Sequence, residues 1–226
     1  MVERLRPLVD LHRERRPPAV RFRPETWRPW LEPRQATHVL NLGIEDPSGL
    51  HGDRIGDRMI SREDLAALRK LAGDSPEGLR DLLAAMIWGS GTTNGRGPRY
   101  TAAALSDPRL PHVLETTRRS VRTGDLSGAY RQFKLAGVRR SFLTKWLAAV
   151  DDREVTCDRS LILDDRVLQS LNALGWYSGE AAGSNCWATR YVAYADAMHR
   201  WADPLVVTAA WLEWLLFDLN GGVDVP

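Results

Sequence analysis

The chain has 226 residues, of which 43% are hydrophobic, so it can bury the core of one large domain or of two lobes. Its two cysteines, Cys157 and Cys186, are too few and too far apart for a disulfide framework or a zinc module, which excludes both classes. The net charge is only +2, but positions 118 to 145 hold eight lysines and arginines against one acid, which gives this stretch a local charge of +7. Such a cationic stretch is typical of a phosphate-binding face, and it is also compatible with a solvated helix face.

The first 60 residues are predicted to form an extension and strap that packs on the rest of the chain. A short helix from Glu3 to Arg16 ends at two consecutive prolines. The segment from Arg21 to Pro33 is expected to be extended, because prolines interrupt it repeatedly. Its tryptophans and arginines could contact nucleic acid, but such side chains more often pack against the protein body.

A short strand is predicted from His38 to Ile44, and a loop rich in glycine and aspartate follows it. His51, Asp53 and Asp57 in this loop do not have the spacing of metal ligands. We therefore predict neither a metal site nor any other cofactor.

No segment of the sequence predicts a membrane protein. The N-terminus lacks the apolar run of a signal peptide. The most apolar stretch, Leu205 to Phe217, is too short to span a bilayer and contains Glu213. These features predict a cytoplasmic location.

Residues 61 to 226 are predicted to form one helical domain. Ser61 is a favourable N-cap, with Asp64 three residues later, and Ser75 caps a second helix from Pro76 to Trp88. A loop follows up to Pro98, because no long helix tolerates four glycines in nine residues. Apolar stripes at helical spacing are predicted to face the core from both helices: Leu65, Leu68 and Leu71 in the first, and Leu79, Leu82, Leu83 and Met86 in the second.

The centre of this domain is a helical hairpin at about residues 127 to 150. Helices at 101–105, 112–123 and 127–135 lead to a tight turn at Leu135–Val138, and a further helix runs from Arg139 to about Val150. Gly137 supplies the permissive backbone of the turn. The amides of the turn, with Arg139 and Arg140 beside them, are expected to face an anion where the helix begins.

Two side chains that can carry chemistry follow the turn. Lys145 lies inside the helix after the turn, and Asp164 opens the next helix 19 positions later. A carboxylate at a helix N-terminus is stabilised in its ionised form. Asp164 can therefore act as a helix cap, as a catalytic carboxylate, or as both.

The C-terminal part is predicted to be helical as well. An apolar stripe continues from Asp164 to Leu174, a loop covers residues 176 to 185, and amphipathic and apolar helices follow at 186–201 and 204–219. Convincing strands are almost absent, and the sequence has no internal repeat. The fold class is therefore mostly α.

This arrangement resembles the helix-hairpin-helix DNA glycosylases, the superfamily of 8-oxoguanine glycosylase, endonuclease III and the adenine glycosylases. The family hairpin has the form LPGVG, which residues 135–139 match except at Ala136 and Arg139. Its aspartate pattern V-D-x-H-V is similar to residues 163–167. A narrower resemblance, over roughly residues 80 to 220, is to proteins with an 8-oxoguanine-glycosylase fold, some of whose relatives are phage-defence glycosylases. The resemblance implies a two-lobed helical fold.

The resemblance also implies roles for the two reactive side chains. Asp164 would stabilise the positive charge that develops on the sugar as the base leaves. In the family, the catalytic lysine is normally the last residue of the hairpin motif, and Ser141 occupies that position in this chain. Lys145 lies one helical turn later on the same face. Lys145 would attack the sugar, with strand cleavage, or would position the substrate. The serine keeps simple hydrolysis without strand cleavage open as an alternative, because the hydrolytic adenine glycosylases also have a serine there.

Further contacts with DNA follow from the same resemblance. In members of the family, a polar turn enters the space in the DNA from which the base has been flipped out. Asn94 and Arg96 are the candidates for this role here, although a flexible surface loop explains these residues equally well. An aromatic pocket must hold the flipped base. The four-cysteine iron–sulfur cluster of some members is excluded. The predicted hairpin contacts are Gly137, Val138, Arg139, Arg140 and Ser141, and the base-pocket candidates are Trp176, Trp187, Trp211 and Trp214.

The sequence therefore predicts a monomeric DNA glycosylase that excises a modified base from double-stranded DNA. The base would be 8-oxoguanine in repair, or a hypermodified base such as glucosylated hydroxymethylcytosine in phage defence. One alternative is a non-catalytic helix-hairpin-helix module that only grips phosphates. Another is an interaction protein whose basic helix binds an acidic partner.

Overall fold

The computed structural model describes residues 1–45, 57–85, 96–153 and 159–223. Its strands are β1 (Val20–Phe22), β2 (Ile44–Glu45) and β3 (Arg58–Ile60). Its α-helices are α1 (Val2–His12), α2 (Pro24–Leu31), α3 (Arg62–Ala72), α4 (Pro76–Ala84), α5 (Gly97–Leu105), α6 (Leu110–Arg122), α7 (Leu126–Gln132), α8 (Arg140–Val150), α9 (Asp165–Ala173), α10 (Ser178–Ala182), α11 (Trp187–Ala202) and α12 (Ala209–Leu219). The mostly helical fold class is confirmed.

The chain divides into two compact units, and each is discontinuous in sequence. The first unit comprises residues 1–17, 117–132 and 143–226, and the second comprises residues 18–116 and 133–142. The boundaries at 116/117 and 142/143 fall inside helices α6 and α8, so the backbone passes between the units within two helices.

The second unit contains a small antiparallel sheet in the order β1-β3-β2, in which Val20 pairs with Ile60 and Ile44 pairs with Met59. The prediction of a strand from His38 to Ile44 was wrong over most of its length, because a 3₁₀ helix occupies Thr37–Asn41. Its two apolar residues, Val39 and Leu40, are both buried, so the helical turn places both side chains in the core.

The segment from Arg21 to Pro33 is not extended. After the short strand β1, helix α2 begins with Pro24 in its first turn, a position where a missing N–H costs nothing. Trp27 and Leu31 lie four residues apart on one face and are completely buried, whereas Trp30 is exposed. The burial of this apolar pair favours the helix despite Pro29 in its interior.

Local capping signals fix the starts of α3 and α4. The Ser61 hydroxyl accepts a hydrogen bond from the Asp64 amide, and the Asp64 carboxylate accepts one from the Ser61 amide, which forms a capping box. Ser75 accepts from the amide of Gly78. The predicted stripe of α3 was wrong at its end, since Leu71 is 84% exposed and the neighbouring Ala72 is buried instead.

The first unit has a helical core with Trp146, Tyr191 and Tyr194 completely buried. The loop predicted at 176–185 contains the short helix α10, and α12 begins after the N-cap Thr208 rather than at position 204. None of the helices in the described part of the chain is both long and apolar enough to cross a bilayer.

Candidate active site and nucleic-acid interface

The predicted hairpin turn is present between α7 and α8. Gly137 has a φ of +75°, which glycine adopts at little cost, and the Val138 amide donates to the Leu135 carbonyl at 3.3 Å. A side chain at position 137 would meet the Tyr100 ring at 3.0 Å. The turn therefore requires glycine for its backbone angle and for its close packing on α5.

A carboxylate also holds this turn. The Asp107 side chain accepts two hydrogen bonds from the Arg109 guanidinium, at 3.0 and 2.7 Å, and one from the Ala136 amide at 3.4 Å. The Arg109 side chain and amide keep the pKa of Asp107 far below its usual range. Asp107 thus ties the turn to the chain entering α6, a contact that the sequence analysis missed.

The predicted DNA contacts differ in exposure. Arg139 is exposed, and Val138, Arg140 and Ser141 are half-buried. Arg96 is exposed immediately before α5, and its carbonyl accepts from the amide of Tyr100, the residue that packs on the turn. The structure therefore brings the start of α5 and the hairpin turn together. Asn94 lies outside the described residues.

Part of the positive charge between 118 and 145 is neutralised within the first unit. Arg118 is 4% exposed and lies 3.1 Å from the Asp152 carboxylate, and Arg122 lies 2.9 Å from the same group. The hydrogen bond from the Arg122 side chain lowers the pKa of Asp152. These two arginines pair with Asp152 within the fold, so fewer cations are left for the predicted phosphate-binding face than the charge count suggests.

Lys145 and Asp164 meet in the first unit. The Lys145 Nζ lies 3.7 Å from Asp164 Oδ2, and the two side chains are 10% and 16% exposed. A nearly buried ion pair carries a desolvation cost that a surface pair does not. A pair of this kind at a helix N-terminus is a common feature of reactive sites, where charged groups are kept poorly solvated.

Asp164 uses its two carboxylate oxygens differently. Oδ1 accepts from the Arg166 amide at 3.2 Å, which makes Asp164 the N-cap of α9, and Oδ2 faces Lys145. The amides at the start of α9 favour the ionised carboxylate. Capping and a negative charge available for chemistry are therefore compatible in this geometry.

The segment that leads into Asp164 is buried and held by side chains of separate helices. The Tyr191 and Tyr194 hydroxyls each donate at 2.8 Å, to the carbonyls of Leu161 and Ile162 respectively. The Leu163 amide donates to Thr144 Oγ1 at 2.9 Å. We call residues 160–163 the anchored segment.

Two acidic side chains complete these contacts. The Ile162 amide donates to Glu213 at 3.4 Å, and the Ser160 amide donates to Asp151 at 2.6 Å. Burial raises the pKa of Asp151, but hydrogen bonds from Arg153 and Ser160 outweigh it and the net shift is downward. Burial also raises the pKa of the Tyr191 hydroxyl, which therefore stays protonated and able to donate.

The four predicted pocket tryptophans lie in different surroundings. Trp176 packs edge-on against Trp201, with ring centroids 5.5 Å apart. Trp211 donates to the Arg15 carbonyl at 2.9 Å, and the Arg15 guanidinium lies 5.4 Å from the Trp214 ring.

Trp187 is half-buried and stacks on the Arg190 guanidinium at 3.7 Å. It stands four residues before Tyr191, and therefore on the helix face of α11 that holds the anchored segment. By contrast, Trp211 lies two residues from Glu213 on α12, which places it on roughly the opposite face from the one that meets Ile162. Helix geometry thus favours Trp187 over Trp211 for a place near Asp164.

Arg166 is a further cation in this unit that the sequence analysis did not assign a role. It stands two residues after Asp164, in the first turn of α9, and its guanidinium lies 4.3 Å from the Phe217 ring centroid. Stacking on an aromatic ring fixes the direction of a guanidinium without neutralising its charge. In the sequence, its position two residues after Asp164 was the signal that could have identified it.

The family model described as "Putative 8-oxoguanine DNA glycosylase OGG-like protein" matches residues 14–217. Neither a curated protein nor a solved structure matches the chain significantly. The match spans most of the chain and includes the hairpin turn, Lys145 and Asp164. The chain therefore belongs to this OGG-like family, which indicates a DNA glycosylase with DNA as its partner.

Proposed function

We propose that the protein excises a modified base from double-stranded DNA by cleaving its N-glycosidic bond, with Asp164 and Lys145 in the active site. The observation that supports this most directly is the distance of 3.7 Å between Lys145 Nζ and Asp164 Oδ2, in a pair that is nearly buried. A module that only grips phosphates would have no need of a lysine removed from solvent and paired in this way.

Asp164 would act on the sugar. As the base leaves with its bonding electron pair, positive charge develops at C1′ and on the ring oxygen, and a carboxylate held nearby stabilises that charge. Oδ1 keeps its capping bond during this step, and Oδ2 is the oxygen available to the sugar. In hydrolysis, water forms the new bond at C1′ and gives up a proton, and the departing base is protonated.

Lys145 has two roles that fit the same position. As an ammonium it would position the substrate beside Asp164, whose carboxylate lies 3.7 Å away. As a neutral amine it would attack C1′ and displace the base, which leaves with its bonding electron pair and takes up the proton that the amine loses. Opening of the sugar ring would then give a Schiff base, and elimination of the 3′ phosphate would nick the strand.

The hairpin turn and its flanking cations would bind the DNA backbone. Gly137 and Val138 present turn amides, and Arg139, Arg140 and Ser141 follow at the start of α8. Arg96 would enter the duplex from the start of α5, together with Asn94. Such contacts fix the position of the duplex but carry no base sequence.

A flipped base would lie against an aromatic side chain. Trp187 is the first candidate on helix geometry, and Trp176, Trp211 and Trp214 remain candidates. The protein would act as a monomer without a cofactor. The substrate would be 8-oxoguanine, as the family description names it, or a bulkier hypermodified base, as in the phage-defence relatives.

The test is a base-release assay on defined duplexes. Matched duplexes with 8-oxoguanine, with guanine, and with glucosylated hydroxymethylcytosine should be incubated with the protein, and free base and strand nicks should be scored separately. Release of one modified base, with no release from the guanine duplex, supports the proposal. Binding of all duplexes without release of either modified base would favour the alternative of a module that only grips phosphates.

Borohydride trapping decides the role of Lys145. The chain has only three lysines, and Lys70 and Lys134 are exposed, so a trapped adduct can be assigned by mass spectrometry. An adduct on Lys145 that Lys145→Gln abolishes identifies the nucleophile. If the wild type forms no adduct and Lys145→Gln still releases the base, the reaction is simple hydrolysis.

A further inference from the structure

Two consecutive residues of α8 meet the last residue of the anchored segment and the residue directly after it. Thr144 Oγ1 accepts from the Leu163 amide at 2.9 Å, and Lys145 Nζ lies 3.7 Å from the Asp164 carboxylate. Both pairs are separated by 19 positions in the sequence. The helix and the segment are thus in register, and the Thr144 bond is one residue away from the reactive pair.

The hydrogen bond to Thr144 differs from the other contacts of the anchored segment in the helix that it reaches. The bonds from Tyr191 and Tyr194 tie the segment to α11, and the bond to Glu213 ties it to α12. The bond to Thr144 ties it to α8, the helix that carries Lys145. Thr144 is completely buried, so water cannot replace the hydroxyl if it is lost.

We propose that Thr144 is a positioning residue, whose hydroxyl sets the register of α8 against the anchored segment and so keeps the Lys145 amine at the Asp164 carboxylate. This inference rests on the proposed glycosylase function. Thr144 itself touches neither substrate nor reacting atoms in this role. Displacements of about 1 Å in a reactive pair lower rates by about 100-fold, so a loosened register should be visible in the chemical step.

The primary variant is Thr144→Val, which keeps the shape of the side chain and removes the hydroxyl. We expect the single-turnover rate of base release at saturating protein to fall by about 10- to 100-fold. The Kd for the same duplex should stay within about twofold, because Thr144 is buried and touches no DNA. Thr144→Ser keeps the hydroxyl, so it should recover most of the rate.

A matched control separates positioning from stability. Ser170 in the same unit is completely buried, and its hydroxyl donates to the Leu216 carbonyl at 2.6 Å and accepts from the Gly221 amide at 2.8 Å. Thr144→Val should lower the Tm by about 2–4 °C, the shift expected for one lost hydrogen bond in a chain of this size, and Ser170→Ala, which loses two, should lower it at least as much. Only Thr144→Val should lower the release rate.

A second readout does not depend on glycosylase activity. Labelling of lysines with an amine reagent, followed by mass spectrometry, reports the accessibility of Lys145 against the exposed Lys70 and Lys134 as internal references. Labelling of Lys145 should rise several-fold in Thr144→Val and stay unchanged in Ser170→Ala. If the wild type releases no base, the proposed function fails, and this labelling still decides the role of Thr144.

The inference is overturned by either of two results. One is equal Lys145 labelling in Thr144→Val and the wild type. The other, in an active wild type, is a release rate for Thr144→Val that matches Ser170→Ala, or one that Thr144→Ser fails to restore.

Discussion

The anchored segment and the hairpin turn are held in opposite ways. Residues 160–163 are buried, and polar side chains from several helices take up their backbone groups. The turn at 135–138 has Ala136 and Gly137 exposed, and it is held by packing on Tyr100 and one carboxylate. Under the proposed function, the carboxylate that would meet a sugar is positioned by the protein's own contacts. The turn that would meet phosphates leaves its polar groups and cations accessible to a partner.

The largest expected effect is that of Asp164→Asn. The amide keeps the size and the capping ability of the side chain but removes the charge that would face the sugar. We expect base release to fall by at least about 100-fold, with duplex binding equal or tighter. Asp165→Asn, at the exposed neighbouring position, is the control and should retain activity. Wild-type release by Asp164→Asn would refute the assigned active site.

Gly137→Ala should affect binding rather than chemistry. A side chain at a φ of +75° costs about 1–2 kcal/mol, and here it would also press on Tyr100. We expect affinity for any duplex to fall about tenfold, measured by fluorescence anisotropy. Gly183→Ala has a similar backbone strain at φ +57° but meets nothing within 4 Å, so it should leave affinity unchanged. Equal affinity of the two variants would place the DNA face elsewhere.

Arg139→Ala tests the outward-facing part of the turn. Arg139 is exposed, and removal of one phosphate contact should reduce the slope of log Kd against log salt concentration by about 0.9. Arg28→Ala removes an equally charged, exposed side chain that pairs with Glu25, and it should not change the slope. Identical slopes for Arg139→Ala and the wild type would exclude a phosphate contact at this residue.

The smallest effect concerns the anchored segment in acid. The pKa of Asp151 is lower in the folded protein than its usual value of about 3.9, so this carboxylate stabilises the fold above that pH and the stabilisation is lost as the pH falls below it. Asp151→Asn should lower stability at neutral pH and flatten its decline below about pH 4, measured by urea unfolding. The exposed Asp10→Asn should preserve the wild-type decline.

Local patterns predicted several features of the site because neighbouring residues create them. Gly137 in the turn, the capping box of Ser61 and the N-cap role of Asp164 each depend on residues within a few positions. The prediction that Lys145 and Asp164 share one site came from the family resemblance, because 19 positions of sequence do not define a distance.

The anchoring contacts could not be predicted in this way. Tyr191 and Glu213 lie 30 and 51 positions from the residues they hold, and in sequence they look like ordinary members of amphipathic or apolar helices. Helix α2 was missed for a different reason. Burial of Trp27 and Leu31 outweighed the local preference of a proline-rich segment, and such tertiary effects are invisible in a short window.

Helix α1 has a consequence for the order in which the first unit forms. The Arg4 guanidinium donates to the carbonyl of Leu174, and Trp211 donates to Arg15, across 170 and 196 positions. Because α1 and Arg15 precede α9 and α12 along the chain, these bonds form only after both helices have been synthesised. Leu5, Leu8 and Val9 of α1 are buried in the finished fold. Contacts between residues so far apart in sequence slow folding, so late closure of this unit is expected.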